Sequence, residues 1–158
     1  MMSIFINGWE TNLKFSAAHF IPEHSKCRRL HGHDYAVDIT LFGELENGMV
    51  ADFVQIKREL RQMLEEIDHK LILPINGEGI TYILDGNKYK IKYETFEMSV
   101  PKEFVYLCDV KHSSSEELAR YLTGILIKKV TLGKNVKKIE FSVYEGPGQK
   151  ATWEEVLG

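Results

Sequence analysis

The chain has 158 residues, 44% of them hydrophobic and 27% charged, which is enough for one domain (1–158) with a sizeable core. Its net charge of −3 argues against a polyanion-binding surface, so no nucleic-acid partner is expected. Two cysteines are too few for a disulfide framework, and no apolar stretch has the length of a membrane crossing or the layout of a leader, so the expected setting is the reducing cytoplasm, without a membrane partner.

"FINGWETNLKFSAAHF" reads as extended chain with a turn at Asn7-Gly8. "CRRLHGHDY", residues 27–35, then places a thiol and two imidazoles within seven residues, with a single glycine between the imidazoles. Neither a packed core nor a solvated loop needs that composition. On extended backbone the side chains at i and i+2 share a face, so His31 and His33 point the same way, and Gly32 permits close backbone approach. That is half a metal site. His19, at the end of the preceding strand, becomes a third ligand if the two strands pair. Three histidines leave zinc an open position, the catalytic rather than the structural pattern. Spacing leaves Cys27 with two readings: a fourth ligand that closes the site, or a free thiol that acts as a base once deprotonated. Lys26, Arg28 and Arg29 form a small basic group beside it, and His24 reads as a loop residue.

"DYAVDITLFGEL" alternates as a strand, with Tyr35, Val37, Ile39 and Leu41 on one face and Asp38 and Thr40 on the other. "ENG" is a turn. Phe53, Ile56, Leu60, Met63, Leu64 and Ile67 then recur at helical spacing, with Asp52 as the N-cap. Asp68-His69 falls at the end of this helix, where the histidine is either a cap or a surface residue. Residues 80–94 read as a β-hairpin turning at Asp85-Gly86-Asn87, an insertion near 76–111. Cys108, inside "EFVYLCDV", reads as a core thiol, and His112 as a surface residue. Ser114 and Glu117 have capping-box spacing ahead of a stripe of Leu118, Tyr121, Leu122, Ile125 and Leu126. "KKIEFSVYE" is a strand in which Glu145 shares the parity of Ile139, Phe141 and Val143. A carboxylate there either binds a ligand or reaches solvent at the strand end. A short element at "KATWEEV" closes the chain. This order predicts an α+β fold, an antiparallel sheet with two helices on one face.

"FSAAH", "CRRLHGHDY", "ADF", "IDHK", "SSSEELA" and "VYEG", in this order and separation, resemble the 6-pyruvoyltetrahydropterin synthase and 6-carboxytetrahydropterin synthase family over most of the chain. The resemblance implies zinc held by His19, His31 and His33. It implies Cys27 as the proton-abstracting base, with a relay involving Asp68 and His69. Glu145 would anchor the pterin ring, and Ser114, Ser115 and Glu116 occupy the place of a hydroxyl pair and glutamate at a helix start. The implied activity is that of a lyase acting on 7,8-dihydroneopterin triphosphate, with loss of triphosphate and no redox cofactor. Zinc on the side-chain oxygens would acidify the adjacent C–H and O–H bonds.

Three residues separate Cys27 from His31, the spacing of carboxy-forming enzymes of the queuosine-type pathway, so the implied product is 6-carboxy-5,6,7,8-tetrahydropterin. The alternatives are the 6-pyruvoyl product, a related cleavage of dihydroneopterin's side chain, or a non-catalytic zinc-stabilised binding module closed by Cys27. The implied fold is the tunnelling fold (T-fold), an oligomeric barrel of trimers or hexamers with active sites between subunits. Lys26, Arg28 and Arg29 either meet the triphosphate or form a solvated face. Three features depart from the family pattern: Ser-Ser in place of a threonine-containing pair, Gly146 after Glu145 where a hydroxyl is common, and a longer span over 74–111.

Overall fold

A computed structural model describes residues 1–158. Its first half comprises β1 (Met2–Ile6), a four-residue helix α1 (Gly8–Thr11), β2 (Lys14–His19), the 13-residue β3 (His31–Gly43), α2 (Phe53–Glu65) and β4 (Lys70–Pro74). Then come β5 (Ile80–Asp85), β6 (Lys88–Tyr93), β7 (Phe96–Pro101), β8 (Val105–Cys108), α3 (Ser115–Lys129), β9 (Val136–Glu145) and β10 (Lys150–Val156).

The main sheet has the order β10-β9-β3-β2-β4-β8, and β3 is its axis. One edge of β3 holds two partners end to end: β2 against residues 31–36 and β1 against residues 39–43. The chain must therefore step around the gap at Val37 and Asp38. It does so through α1, not through the turn that Asn7-Gly8 suggests in the sequence, because β1 and β2 are not paired with each other. Asn7 Oδ1 caps α1 by accepting from the Glu10 N–H at 3.0 Å, and the Gly8 N–H donates to Asp38 Oδ1 at 2.9 Å.

Gly8 is needed for close approach: a Cβ there would stand 1.9 Å from the Val37 carbonyl oxygen. Gly8→Ala is expected to lower stability by about 2–3 kcal/mol through forced backbone displacement, read as a fall in Tm of roughly 5–10 °C. An unchanged melting curve would contradict this account of the β1–β2 connection.

The sheet is mixed rather than wholly antiparallel. β4 runs parallel to β2 and β8 parallel to β4. Parallel neighbours need long connections, and β3 with α2 supplies one while the β5–β7 segment supplies the other. Both long helices cover one face. Asp52 Oδ1 caps α2 by accepting from the Val54 N–H (2.8 Å), and Ile56, Leu60, Met63 and Leu64 are buried, while Phe53 stays 48% exposed on the first turn. Ser114 Oγ accepts from the Glu117 N–H (3.3 Å) to start α3. Leu118, Leu122 and Leu126 are buried there, whereas Tyr121 and Ile125 are only partly so. Glu116 and Glu117 in the first turn and Lys128 and Lys129 in the last complement the helix dipole.

The expected hairpin is present as β5 and β6, and β7 adds a third strand to it. This small sheet covers the other face of the main sheet, burying Tyr89, Ile91 and Tyr93 against Phe20, Leu71 and Leu73. Cys108 is wholly buried, and burial pushes its thiol up to about 12. No helix is long and apolar enough to cross a membrane.

Candidate functional site

The β2–β3 register places His19 opposite His31 and Ala17 opposite His33. The close approach required of Gly32 is visible here, since a Cβ on it would sit 3.0 Å from the Ala17 carbonyl oxygen. One residue pair deeper, Phe15 stacks on Tyr35 with ring centroids 4.8 Å apart. The three imidazoles thus stand where the apolar face of the sheet ends. Their ring centroids lie 4.6 to 5.1 Å apart, and one ligand atom from each falls within 4.8 Å of the others.

The outer nitrogens of two of them are already engaged. His19 Nδ1 meets the Ser113 carbonyl at 2.8 Å and His31 Nδ1 meets the Arg29 carbonyl at 2.6 Å. A carbonyl only accepts, so each Nδ1 carries the proton and each Nε2 presents a lone pair, the arrangement of metal-ligating histidines. His19 Nε2 and His33 Nε2 are buried without any hydrogen-bond partner. Each such orphan costs about 1–3 kcal/mol, which a cation bound among the three imidazoles would offset. The donor set therefore fits a metal, and a group of three imidazoles suits zinc.

Cys27 lies outside this group. It is half-buried in a 3₁₀ turn (Ser25–Arg28) and lines a cavity of about 770 Å³ with Ser114, Ser115, Glu116, Glu145 and Lys150. Glu145 connects this cavity to the histidines, since its Oε2 lies 3.8 Å from His33 Nε2 and its side chain is 17% exposed. The parity argument for Glu145 and the helix-start placement of Ser114, Ser115 and Glu116 thus converge on one space.

Asp68 and His69 do not join them. Asp68 Oδ1 accepts from the Ser16 N–H (2.8 Å), and Asp68 Oδ2 holds His69 Nδ1 at 2.8 Å. His69 has φ 59°, and its own N–H donates to the Ser16 carbonyl at 2.7 Å. The pair is therefore built and oriented, yet the His69 side chain is 81% exposed. It borders a different cavity, of about 560 Å³, lined by Ser16, Ala18 and Asp34, whose side-chain direction is opposite to that of His19 and His31, and reached also by Ala17 and His33.

The sequence model of the family described as 6-pyruvoyl tetrahydropterin synthase matches residues 10–156. The chain belongs to that family. As a member, it is an enzyme of the tetrahydropterin synthase type with the family's α+β fold. A Methanocaldococcus jannaschii protein, named provisionally as a 6-carboxy-5,6,7,8-tetrahydropterin synthase, is 38% identical over 160 residues, covering 99% of this chain and 98% of that one. An Aquifex aeolicus protein named 6-carboxy-5,6,7,8-tetrahydropterin synthase is 30% identical over 156 residues, covering 93% and 89%. The crystal structure of 6-pyruvoyl tetrahydropterin synthase from Plasmodium vivax superposes with a TM-score of 0.91 at 31% identity, covering 99% and 98%.

Several residues of this synthase-family site have no sequence signal of their own. Ser113 is wholly buried and its carbonyl orients His19, which only the tertiary fold brings within reach. Tyr35 is buried beside the histidines with an unpartnered hydroxyl, and burial, with Glu145 nearby, raises its phenol above the usual value. Lys150 lines the cavity from β10 while its Nζ lies 3.3 Å from the buried Asp38 carboxylate. His112, expected at the surface, is exposed but also lines the Cys27 cavity.

Proposed function

We propose that this chain is a zinc-dependent lyase that acts on 7,8-dihydroneopterin triphosphate, releases triphosphate and, with water, cleaves a side-chain carbon–carbon bond so that the outer two carbons leave as a two-carbon aldehyde and 6-carboxy-5,6,7,8-tetrahydropterin is formed. The observation that carries this reading is the group of His19, His31 and His33, joined through Glu145 to the cavity that holds Cys27. His19, His31 and His33 would hold the zinc, which when bound would supply a Lewis acid for the side-chain oxygens of the substrate. Glu145 accepts hydrogen bonds from the amino and ring N–H donors of the pterin, with the ring lodged beside His33. Ser115 and Glu116 on the first turn of α3 offer further polar contacts within the same cavity. Cys27, as a thiolate, takes a proton from the substrate side chain and returns one, the transfer that accompanies departure of triphosphate.

On this reading the protein works as a homo-oligomer, a trimer or hexamer with active sites between subunits. The separation of Asp68 and His69 from Cys27 within one chain, and the exposure of the His69 ring, support a role for that pair at the Cys27 of another copy. Both cysteines are free, which suits a reducing compartment such as the cytoplasm. The position of Cys27 outside the three-imidazole group argues against a closed, purely structural metal site. The three-residue interval between Cys27 and His31, with the names of the M. jannaschii and A. aeolicus relatives, supports the carboxy product.

Zinc-loaded protein incubated with 7,8-dihydroneopterin triphosphate should yield a 6-carboxytetrahydropterin by mass spectrometry. A 6-pyruvoyl product would move the chain to the other branch of the family. Unchanged substrate, from folded and zinc-replete protein, would overturn the substrate assignment.

A further inference from the structure

The β5–β7 sheet contains none of the residues assigned above, yet it grips the loop that carries Cys27. That loop, between β2 and β3, holds two non-glycine residues in the left-handed region, Glu23 (φ 63°) and Ser25 (φ 42°). Each is strained for a residue with a Cβ and persists only where surrounding structure enforces it. The enforcement comes from the end of β6 and the turn after it. The Tyr93 O–H donates to the Arg28 carbonyl at 2.6 Å, and Glu94 Oε1 accepts from the Glu23 N–H, also at 2.6 Å. Glu94 Oε2 lies 3.9 Å from Arg28 Nε, and the Tyr93 ring stacks on Phe20 with centroids 4.0 Å apart. The Cys27 turn is therefore held on both sides, through Phe20 and Glu23 before it and Arg28 after it.

Glu94 adds an independent sign. It occupies the first position of the two-residue turn between Tyr93 and Phe96, with φ 49°. That position favours glycine, so the glutamate sits there against local preference. What it gains is the pair of contacts to the Cys27 loop.

We propose that Tyr93 and Glu94 are positioning residues for the Cys27 thiol, and that the β5–β7 sheet is the clamp that sets how the thiol meets the substrate cavity. This rests on the reading of Cys27 as the proton-transferring group. Glu94→Gly separates positioning from general support, because it removes the carboxylate and relieves the left-handed strain in one change. Tyr93→Phe removes only the hydroxyl and keeps the stack on Phe20.

Both variants are expected to keep their zinc and a Tm no lower than roughly 3 °C below native. With 7,8-dihydroneopterin triphosphate, KM should stay within about twofold while kcat falls about ten- to a hundredfold. Glu94→Gln, whose amide oxygen still accepts from the Glu23 N–H, should recover most of that kcat. The pH profile of Cys27 alkylation by iodoacetamide, followed by peptide mass, should change in Glu94→Gly and match native in Glu94→Gln. Native kcat and a native alkylation profile in both Glu94→Gly and Tyr93→Phe would overturn the clamp. So would a parallel loss of zinc, Tm and kcat, which is the mark of a merely structural contact. Native turnover by Cys27→Ala is a different failure: it removes the thiol reading, and the alkylation profile still decides whether the clamp orders the loop.

Discussion

Cys27→Ala is expected to hold zinc as the native chain does and to lose about 10²–10⁴-fold in kcat, the share of a rate that one placed acid–base group supplies. The two readings of this residue diverge most sharply here. A fourth ligand would take its metal with it, and the fold with the metal. A free thiol beside the site contributes little to either. The geometry supports the second outcome, because the ligand group consists of His19, His31 and His33 while Cys27 lines the neighbouring cavity with Glu145. The backbone contact of Cys27, its carbonyl accepting from the Ile21 N–H at 2.7 Å, survives in alanine. Loss of a half-buried thiol should therefore change stability by no more than about 1 kcal/mol. Metal analysis, a melting curve and single-turnover kinetics on one preparation check all three points. Joint loss of zinc and fold would make the protein a closed structural site and remove Cys27 from catalysis.

The second large effect concerns the metal set and acid. Burial pushes His19 down to about 4, opposed by its hydrogen bond to the Ser113 carbonyl and reinforced by His31 and His33 nearby. The ordinary value, that of the unfolded chain, is 6.5. Between these values the unfolded chain binds more protons than the folded one, so stability falls as pH falls. The contribution is complete above about pH 6.5, is lost progressively towards pH 4, and amounts to roughly 3 kcal/mol. Metal-free protein should therefore melt roughly 6–12 °C lower at pH 4.5 than at pH 7. Protons compete with zinc for the same nitrogen, so zinc release should follow that window.

His31→Ala provides the cleaner ligand deletion, since His31 is half-buried and its loss opens no deep cavity. It should weaken zinc binding by more than the ~10–100-fold that follows loss of an outer partner, and turnover should disappear with the metal. A pH-independent Tm would refute the buried neutral His19, and native zinc affinity in His31→Ala would dissolve the three-histidine site.

Much of this was legible because it is local. Asp52 and Ser114 cap the residues next to them, so a few positions suffice to read them. His31 and His33 share a face by the two-residue period of a strand, and Glu145 falls on the face of Ile139, Phe141 and Val143 for the same reason. The third ligand, His19, required one further assumption, that the strands before and after "CRRLHGHDY" pair, and they do. Asn7-Gly8 misled because its side chain and flexibility serve a helix cap as well as a turn. Which one forms is set by β3, the shared partner of β1 and β2. Asp38 alternates as a solvent-facing residue yet is buried, because the Gly8 N–H, the Tyr144 hydroxyl and Lys150 Nζ converge on it from three distant segments.

The sequence by itself determined the two long helices, the strands that carry the site, the family and the chemical kinds of group there, since those follow from short-range period, capping and residue type. Tertiary structure alone decided which groups meet. It placed Ser113 behind His19, kept Cys27 apart from the three imidazoles, set Asp68 and His69 beside another cavity, and laid Tyr93 and Glu94 against the Cys27 loop. The reason is physical: these contacts join residues about 50 to 95 positions apart, whose approach is settled by strand register and by the burial of two separate apolar faces.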